Sequence, residues 1–174
     1  MFNNADKAQQ IKLVALDVDG VLTDGAVIYT NSGDETKAFN IKDGLGIKLL
    51  QRAGIEVAII TGRSSALLER RARELGIKAI IQGREDKRIA LEELAAERKI
   101  TLDECAYLGD DLPDLSAITA AGFGSCPADA VEVVRDASDW VATARGGHGA
   151  VREFAEMLLR ARGQLSEFVD SYRS

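Results

Sequence analysis

The sequence is short of the residues that mark several protein classes. It has two cysteines, Cys105 and Cys126, both in apolar runs and without ligand-like spacing. They read as reduced, structural core residues. There is no Pro-rich linker, internal repeat or low-complexity tract to divide the chain. No run of apolar residues approaches the roughly 20 needed to cross a bilayer, and the start, MFNNADKAQQ, lacks a basic region followed by an apolar stretch. A cytoplasmic location without membrane attachment is expected. Basic residues are in deficit: 22 Lys and Arg stand against 28 Asp and Glu, a formal charge of −6. That argues against general nucleic-acid binding, which needs a basic face to displace counterions. A small anionic substrate stays possible, because a few local cations and a metal outweigh a distant negative field.

What is present is ordinary for one globular domain. The 174 residues are 46% hydrophobic and 29% charged, near the expected size of about 150 residues per domain. Short apolar runs at 11–16, 55–60, 78–81, 105–108 and 138–141 read as strands, with a weaker one in AGFGSC. Their continuous apolarity fits strands buried on both faces of a parallel sheet. Helical stretches lie between them at 43–53, 64–75, 84–99, 111–120, 129–135 and 148–162. Ser64, Asp111 and Asp129 are expected at helix starts, Gly54 and Gly76 at helix ends. The alternation predicts an α/β fold with a doubly wound, mainly parallel sheet. Residues 25–40 break the rhythm and read as a β-hairpin turning at NSGD. No insert is large enough for a second domain, so residues 1–174 are expected to form a single one. Residues 163–174 read as a tail that packs elsewhere or frays.

The segment LDVDGVLTDG, 16–25, follows the first strand directly. Ligands of open α/β sheets bind beyond the carboxyl ends of strands. There Asp17 and Asp19 offer one carboxylate to attack phosphorus and another to hand a proton to the leaving oxygen. A lone DxD pattern would more often be an acidic loop, but three companions follow. TGRSS, 61–65, places a hydroxyl and main-chain N–H groups at a helix start, where phosphate oxygens are held well. Lys87 comes next; a helical lysine is usually solvated, and only its position between the other motifs singles it out. Last is YLGDDLPDL, 107–115, whose Asp110, Asp111 and Asp114 repel one another unless a cation sits among them. Such oxygen ligands suit Mg²⁺.

In type, order and placement these four motifs resemble those of the haloacid dehalogenase superfamily of phosphohydrolases. The resemblance implies a Rossmann-like domain, here without a separate cap, and a phosphatase using Mg²⁺. It makes Asp17 the nucleophile, Asp19 the general acid and then base, and Thr61 and Lys87 the groups that hold the phosphoryl oxygens. Asp17, Asp110 and the main-chain carbonyl of Asp19 would bind the metal, with Asp111 and Asp114 supporting them.

FNIKDGLGIKLL, TGRSSALLERRARELGI and RGGHGAVREFAEMLL resemble, more narrowly, the 3-deoxy-D-manno-octulosonate 8-phosphate phosphatases of lipopolysaccharide sugar biosynthesis. That resemblance implies a homotetramer in which the hairpin and a neighbour's tail help enclose the site. It also implies sugar-acid contacts from Asp19, Asn40, Ile41, Lys42, Asp43, Gly44, Lys48, Thr61, Gly62, Arg63, Arg71 and Lys87. An arginine fork suits a carboxylate; Arg70 and Arg73 are expected at the surface. His148 stands where members of the family often carry arginine, so its side chain is given no role. Two other readings remain: a phosphatase for a nine-carbon, sialic-acid-type 9-phosphate, and a non-catalytic oligomerisation module like those fused to sialic-acid-activating enzymes. The module reading is disfavoured by the presence of every catalytic residue type.

Overall fold

The computed structural model describes residues 4–173. Six strands form one parallel sheet: β1 (Leu13–Leu16), β4 (Glu56–Ile60), β5 (Ala79–Ile81), β6 (Cys105–Leu108), β7 (Phe123–Cys126) and β8 (Trp140–Val141). Their order across the sheet is β5-β4-β1-β6-β7-β8. Neighbouring strands align as Leu13 with Glu56 and with Cys105, and Ala106 with Phe123. The chain winds outward in one direction from β1 to β5 and in the other from β6 to β8. The switch point therefore lies between β1 and β6, where such sheets open a crevice.

Alternation along each strand feeds two separate cores. Val14, Leu16, Val57, Ile59, Ala106, Leu108 and Phe123 face one side, under α2 (Ile41–Arg52), α3 (Ala66–Leu75) and α7 (Ala150–Ala161). Leu13, Ala15, Ala58, Ile60, Cys105, Tyr107 and Cys126 face the other, under α4 (Lys87–Arg98), α5 (Leu115–Ala120) and α6 (Glu132–Ala137). Every residue of β1 and β6 is buried, which is why these strands read as unbroken apolar runs. AGFGSC, the weakest expectation, is a fully buried strand, β7.

Several boundaries move for local reasons. Helix α2 begins two residues early because Asn40 caps it, its Oδ1 accepting from the Lys42 N–H at 2.8 Å. Helix α3 is entered through Ser65 and not Ser64. Asp129 does not start a helix: its carboxylate accepts instead from the main chain of Gly146 and from Arg145, holding the glycine-rich loop before α7. Asp111 caps a 3₁₀ turn, Leu112–Asp114, ahead of α5. Gly76 ends α3 in the left-handed region as expected, while Ala53 closes α2, with Gly54 at φ +80° just beyond.

Helix α1 (Asn4–Gln10) was not anticipated; Ala8 is fully buried and Lys7 pairs with Asp139. The hairpin at 25–40 is present but slight: β2 (Ile28–Tyr29) and β3 (Glu35–Thr36) pair antiparallel as a sheet of their own. The tail forms α8 (Leu165–Asp170), with Phe168 against the first core and under the Arg52 guanidinium.

Candidate active site

Three strand ends meet at the crevice. Asp17 follows β1 directly, Thr61 follows β4, and Asp110 lies two residues beyond β6. Asp17, Asp19, Thr61, Gly62, Arg63, Lys87, Asp110, Asp111 and Asp114 all line one cavity of about 320 Å³, with Glu85 opposite Gly62. A larger hollow, about 430 Å³, lies against α8, lined by residues such as Leu165 and Val169, without converging carboxylates.

At the bottom of the cavity sits an ion cluster. Lys87 is buried at the first position of α4, and its Nζ lies 3.0 Å from Asp17 Oδ1 and 2.6 Å from Asp114 Oδ1. Burial alone would lower the Lys87 pKa, but the charges of Asp17 and Asp114 outweigh it and the net shift is upward. Asp114, 1% exposed, is saturated. Its Oδ1 also accepts the Tyr107 hydroxyl at 2.8 Å, and its Oδ2 accepts the main-chain N–H groups of Asp110 and Asp111. Tyr107 itself is pushed well above the usual phenol pKa, first by burial and then by Asp114 and Asp17.

Asp17, Asp110 and Asp114 can each bring a carboxylate oxygen within 4.8 Å of the others. Chemistry divides the three. Asp114 has no free lone pair left pointing into the cavity, whereas no donor among the described residues reaches the Asp110 carboxylate. Burial, then Asp114, Asp17 and Asp111, push Asp110 up to about 7. Burial and Asp114 push Asp17 up to about 6 against the pull of Lys87. One buried and one half-buried carboxylate that resist ionisation, the second without a donor, suit a hard cation such as Mg²⁺. Gly20 belongs to this arrangement: it holds φ +86°, and a Cβ there would run into the Asp110 carboxylate. Gly109 likewise leaves room for Asp114.

On the opposite wall Asp19 meets the hairpin. Its Oδ1 accepts from Lys37 Nζ at 2.5 Å, and Arg63 lies 3.8 Å from its Oδ2. Glu35 bridges the two cations, 2.7 Å from Arg63 and 3.6 Å from Lys37. Thr61 is buried, its Oγ1 accepting weakly from the Arg63 N–H at 3.4 Å. Asp111 is exposed at the cavity and caps the turn that follows it, its Oδ1 accepting from the Leu112 N–H.

The other residues expected to touch a sugar acid do not line this cavity. Asn40 is occupied in capping α2 and in donating to the Gly147 carbonyl. Asp43 is 1% exposed and accepts from the Gly149 and Arg152 N–H groups at the start of α7. Its burial raises its pKa against those bonds. Arg71 crosses from α3 to the Asn40 carbonyl and fills the space above Gly44. Lys48 reaches toward Gly76 at the end of α3, and Ile41 and Lys42 are exposed on the outer first turn of α2. Arg70 and Arg73 are exposed, as expected. His148 shares a 2.8 Å hydrogen bond with the Gly146 carbonyl.

Sequence reasoning missed Tyr107, Lys37, Glu35 and Glu85. Tyr107 left one trace, a lone hydroxyl in a fully buried strand, since such a group needs a partner. Lys37 left none.

Comparison with known proteins agrees with this geometry. A family model described as haloacid dehalogenase-like hydrolase matches residues 41–122. The chain is similar to 3-deoxy-D-manno-octulosonate 8-phosphate phosphatase from Haemophilus influenzae, 44% identical over 93% of this chain and 90% of that protein. The enzyme of that name from Escherichia coli K12 is 45% identical over 92% of this chain and 86% of its own length. A crystal structure of the Moraxella catarrhalis enzyme, in complex with magnesium, phosphate and KDO, superposes with a TM-score of 0.96. It is 51% identical and covers 97% of each chain.

Proposed function

The chain belongs to the haloacid dehalogenase-like hydrolases, in the family of 3-deoxy-D-manno-octulosonate 8-phosphate phosphatases, and from that membership we propose how its residues release phosphate from this eight-carbon sugar acid. The observation that carries the chemistry is the buried Asp17–Lys87–Asp114 cluster beside an Asp110 carboxylate without a donor. Asp17 attacks the phosphorus and forms an aspartyl-phosphate while the sugar oxygen leaves. Asp19 gives that oxygen its proton. It then takes a proton from the water that attacks the aspartyl-phosphate, freeing phosphate and restoring Asp17. Thr61 and Lys87 hold the equatorial oxygens, and Asp114, itself held by the Tyr107 hydroxyl, holds Lys87. Asp17, Asp110 and the Asp19 carbonyl would hold Mg²⁺, which when bound keeps the carboxylates ionised and neutralises charge on the transferring group. Uncatalysed phosphate-monoester hydrolysis is among the slowest reactions known, so positioning and charge make up most of what this site contributes.

Arg63, on the cavity wall, is the arginine best placed for the substrate carboxylate. Asn40 and the α2 residues Ile41, Lys42, Asp43 and Gly44, with Lys48 and Arg71, frame the outer site and do not all touch sugar. We further propose a homotetramer in the cytoplasm, with the whole chain as one domain lacking a cap. The tetramer is supported by the apolar side chains Val27, Ile28 and Tyr29, exposed on a hairpin that pairs with no other strand among the described residues. No helix among the described residues is long and apolar enough to cross a membrane.

The test is phosphate release with Mg²⁺ from 3-deoxy-D-manno-octulosonate 8-phosphate beside a nine-carbon sugar-acid 9-phosphate and a hexose phosphate. Preference for the eight-carbon acid is expected. Preference for the nine-carbon acid would keep the mechanism and change the substrate, and no turnover by a folded, metal-loaded protein would remove both.

A further inference from the structure

We propose that Lys37 is a positioning residue for Asp19, an inference that rests on the acid–base reading of Asp19 given above. Lysines on hairpins normally keep their ammonium in water and bury only the stem. Lys37 does the reverse: it follows β3, in an exposed hairpin of two-residue strands, yet its side chain is only 3% exposed. A buried ammonium is costly unless paired and hydrogen-bonded, and Lys37 has two anionic neighbours. Glu35 at 3.6 Å is beyond hydrogen-bond range, so the direct bond is the one to Asp19.

The alternative partner for Asp19 is weak. Arg63 stands 3.8 Å away with 42% of its side chain in solvent, and exposed pairs of that kind contribute little. Asp19 is therefore aimed by Lys37. Lys37 is absent from the cavity walls while Asp19 and Arg63 are among them. It approaches Asp19 from the hairpin side, where it steadies the carboxylate without meeting the phosphoryl group. Asp19, Lys37, Glu35 and Arg63 close a ring of alternating charge. Through the Lys37 bond in this ring the position of the hairpin is transmitted to the proton-transfer group. An acid misplaced by about 1 Å loses on the order of a hundredfold.

The experiment is rapid-mixing kinetics of the full chain with Mg²⁺ and p-nitrophenyl phosphate, whose leaving group departs without protonation. The first step then needs no acid, while hydrolysis of the aspartyl-phosphate still needs Asp19 as base. For Lys37→Met the burst of nitrophenol should keep its rate within about twofold and its amplitude near one per site. The steady-state rate should fall about ten- to a hundredfold, with KM little changed. With a hexose phosphate, whose leaving group needs the acid, the first step should slow as well. Glu35→Gln, which opens the ring but leaves Lys37 on Asp19, should lower the steady-state rate by no more than about threefold. Equal loss of burst rate and steady-state rate, or a burst amplitude that falls with the melting temperature, would show a merely structural lysine and overturn the proposal. So would kinetics like the unsubstituted protein. Asp19→Asn separates the two layers. If it too leaves the steady-state rate intact, the reading of Asp19 is wrong; if it slows that rate and Lys37→Met does not, only the inference about Lys37 fails.

Discussion

The two walls of the cavity are built in opposite ways. The phosphoryl wall grows from the centre of the parallel sheet: β1 and β6 are buried throughout, and Lys87, Asp114 and Tyr107 satisfy one another out of solvent. The hairpin wall grows from two strands of two residues each, with Tyr29 67% exposed and one buried ammonium reaching inward. One wall takes its geometry from packing, and close-packed interiors resist displacement. The other takes it from ion pairs and from whatever covers its apolar face. The division suits the chemistry, since attack on phosphorus tolerates little misalignment, while sugar must enter and leave.

The largest effect should come from the packed wall. Asp17→Asn removes the proposed nucleophile and is expected to lower turnover by at least about 10³-fold, with the fold kept, because the amide still fills the site. Phosphate release together with a melting curve checks this; substantial activity would remove Asp17 from its role and with it the contrast between the walls.

Asp114→Ala should reverse that balance, costing stability more plainly than any change on the hairpin. It leaves the Lys87 ammonium short of one partner, the Tyr107 hydroxyl without an acceptor, and two main-chain N–H groups unpaired. Breaking a buried pair from one side costs about 3–5 kcal/mol, measurable by denaturant unfolding. A loss below about 1 kcal/mol would mean that water replaces the carboxylate, and the wall would be less dry than its burial indicates.

Metal and pH probe the same wall more gently. Without a cation, Asp17 and Asp110 are raised to about 6 and about 7, so between those values and the ordinary 3.8 the folded chain holds more protons than the unfolded one. Its stability should therefore rise as pH falls from 8 toward 5. Mg²⁺ favours the ionised carboxylates, so its stabilising effect should be greatest near pH 8 and shrink toward pH 5. Melting temperatures with Mg²⁺ and with a chelator, taken across that range, test it. Parallel curves would mean that the two carboxylates do not hold the ion.

The same contrast decides how much could be read from the sequence. Asp17, Thr61 and Asp110 were legible because each follows an apolar run whose burial on both faces fixes where the strand ends, and strand ends are where such folds place ligands. Lys87 was legible only through its neighbours in the motif order. The ring around Asp19 was not, since the Lys37 bond spans 18 positions and depends on how a hairpin folds back, which no local period records. Asp129 misled for a related reason: an acidic residue before a helical run suits a cap, but the loop at 145–149, far along the chain, takes its carboxylate. Asp43 shows the converse. It lies in the first turn of a helix, where a substrate-binding acid is expected, yet it is spent inside the fold on the start of α7.

The smallest effect on the isolated chain should come from the hairpin face, and it sharpens the comparison most. Tyr29→Ser removes a ring that is 67% exposed and packs against no core among the described residues. Unfolding free energy measured at a concentration too low for assembly should change by no more than about 0.5 kcal/mol, as for most surface sites. If the hairpins of several copies cover one another, the same substitution exposes a cavity in that shared surface, and light scattering should show a shift toward smaller species. Activity should then fall with dilution more steeply than in the unsubstituted protein, because Lys37, which holds Asp19, hangs from that hairpin. A large loss of stability in the dilute chain would instead mean that the hairpin packs on its own domain. Its wall would then be as firmly set as the other, and the contrast on which these expectations rest would dissolve.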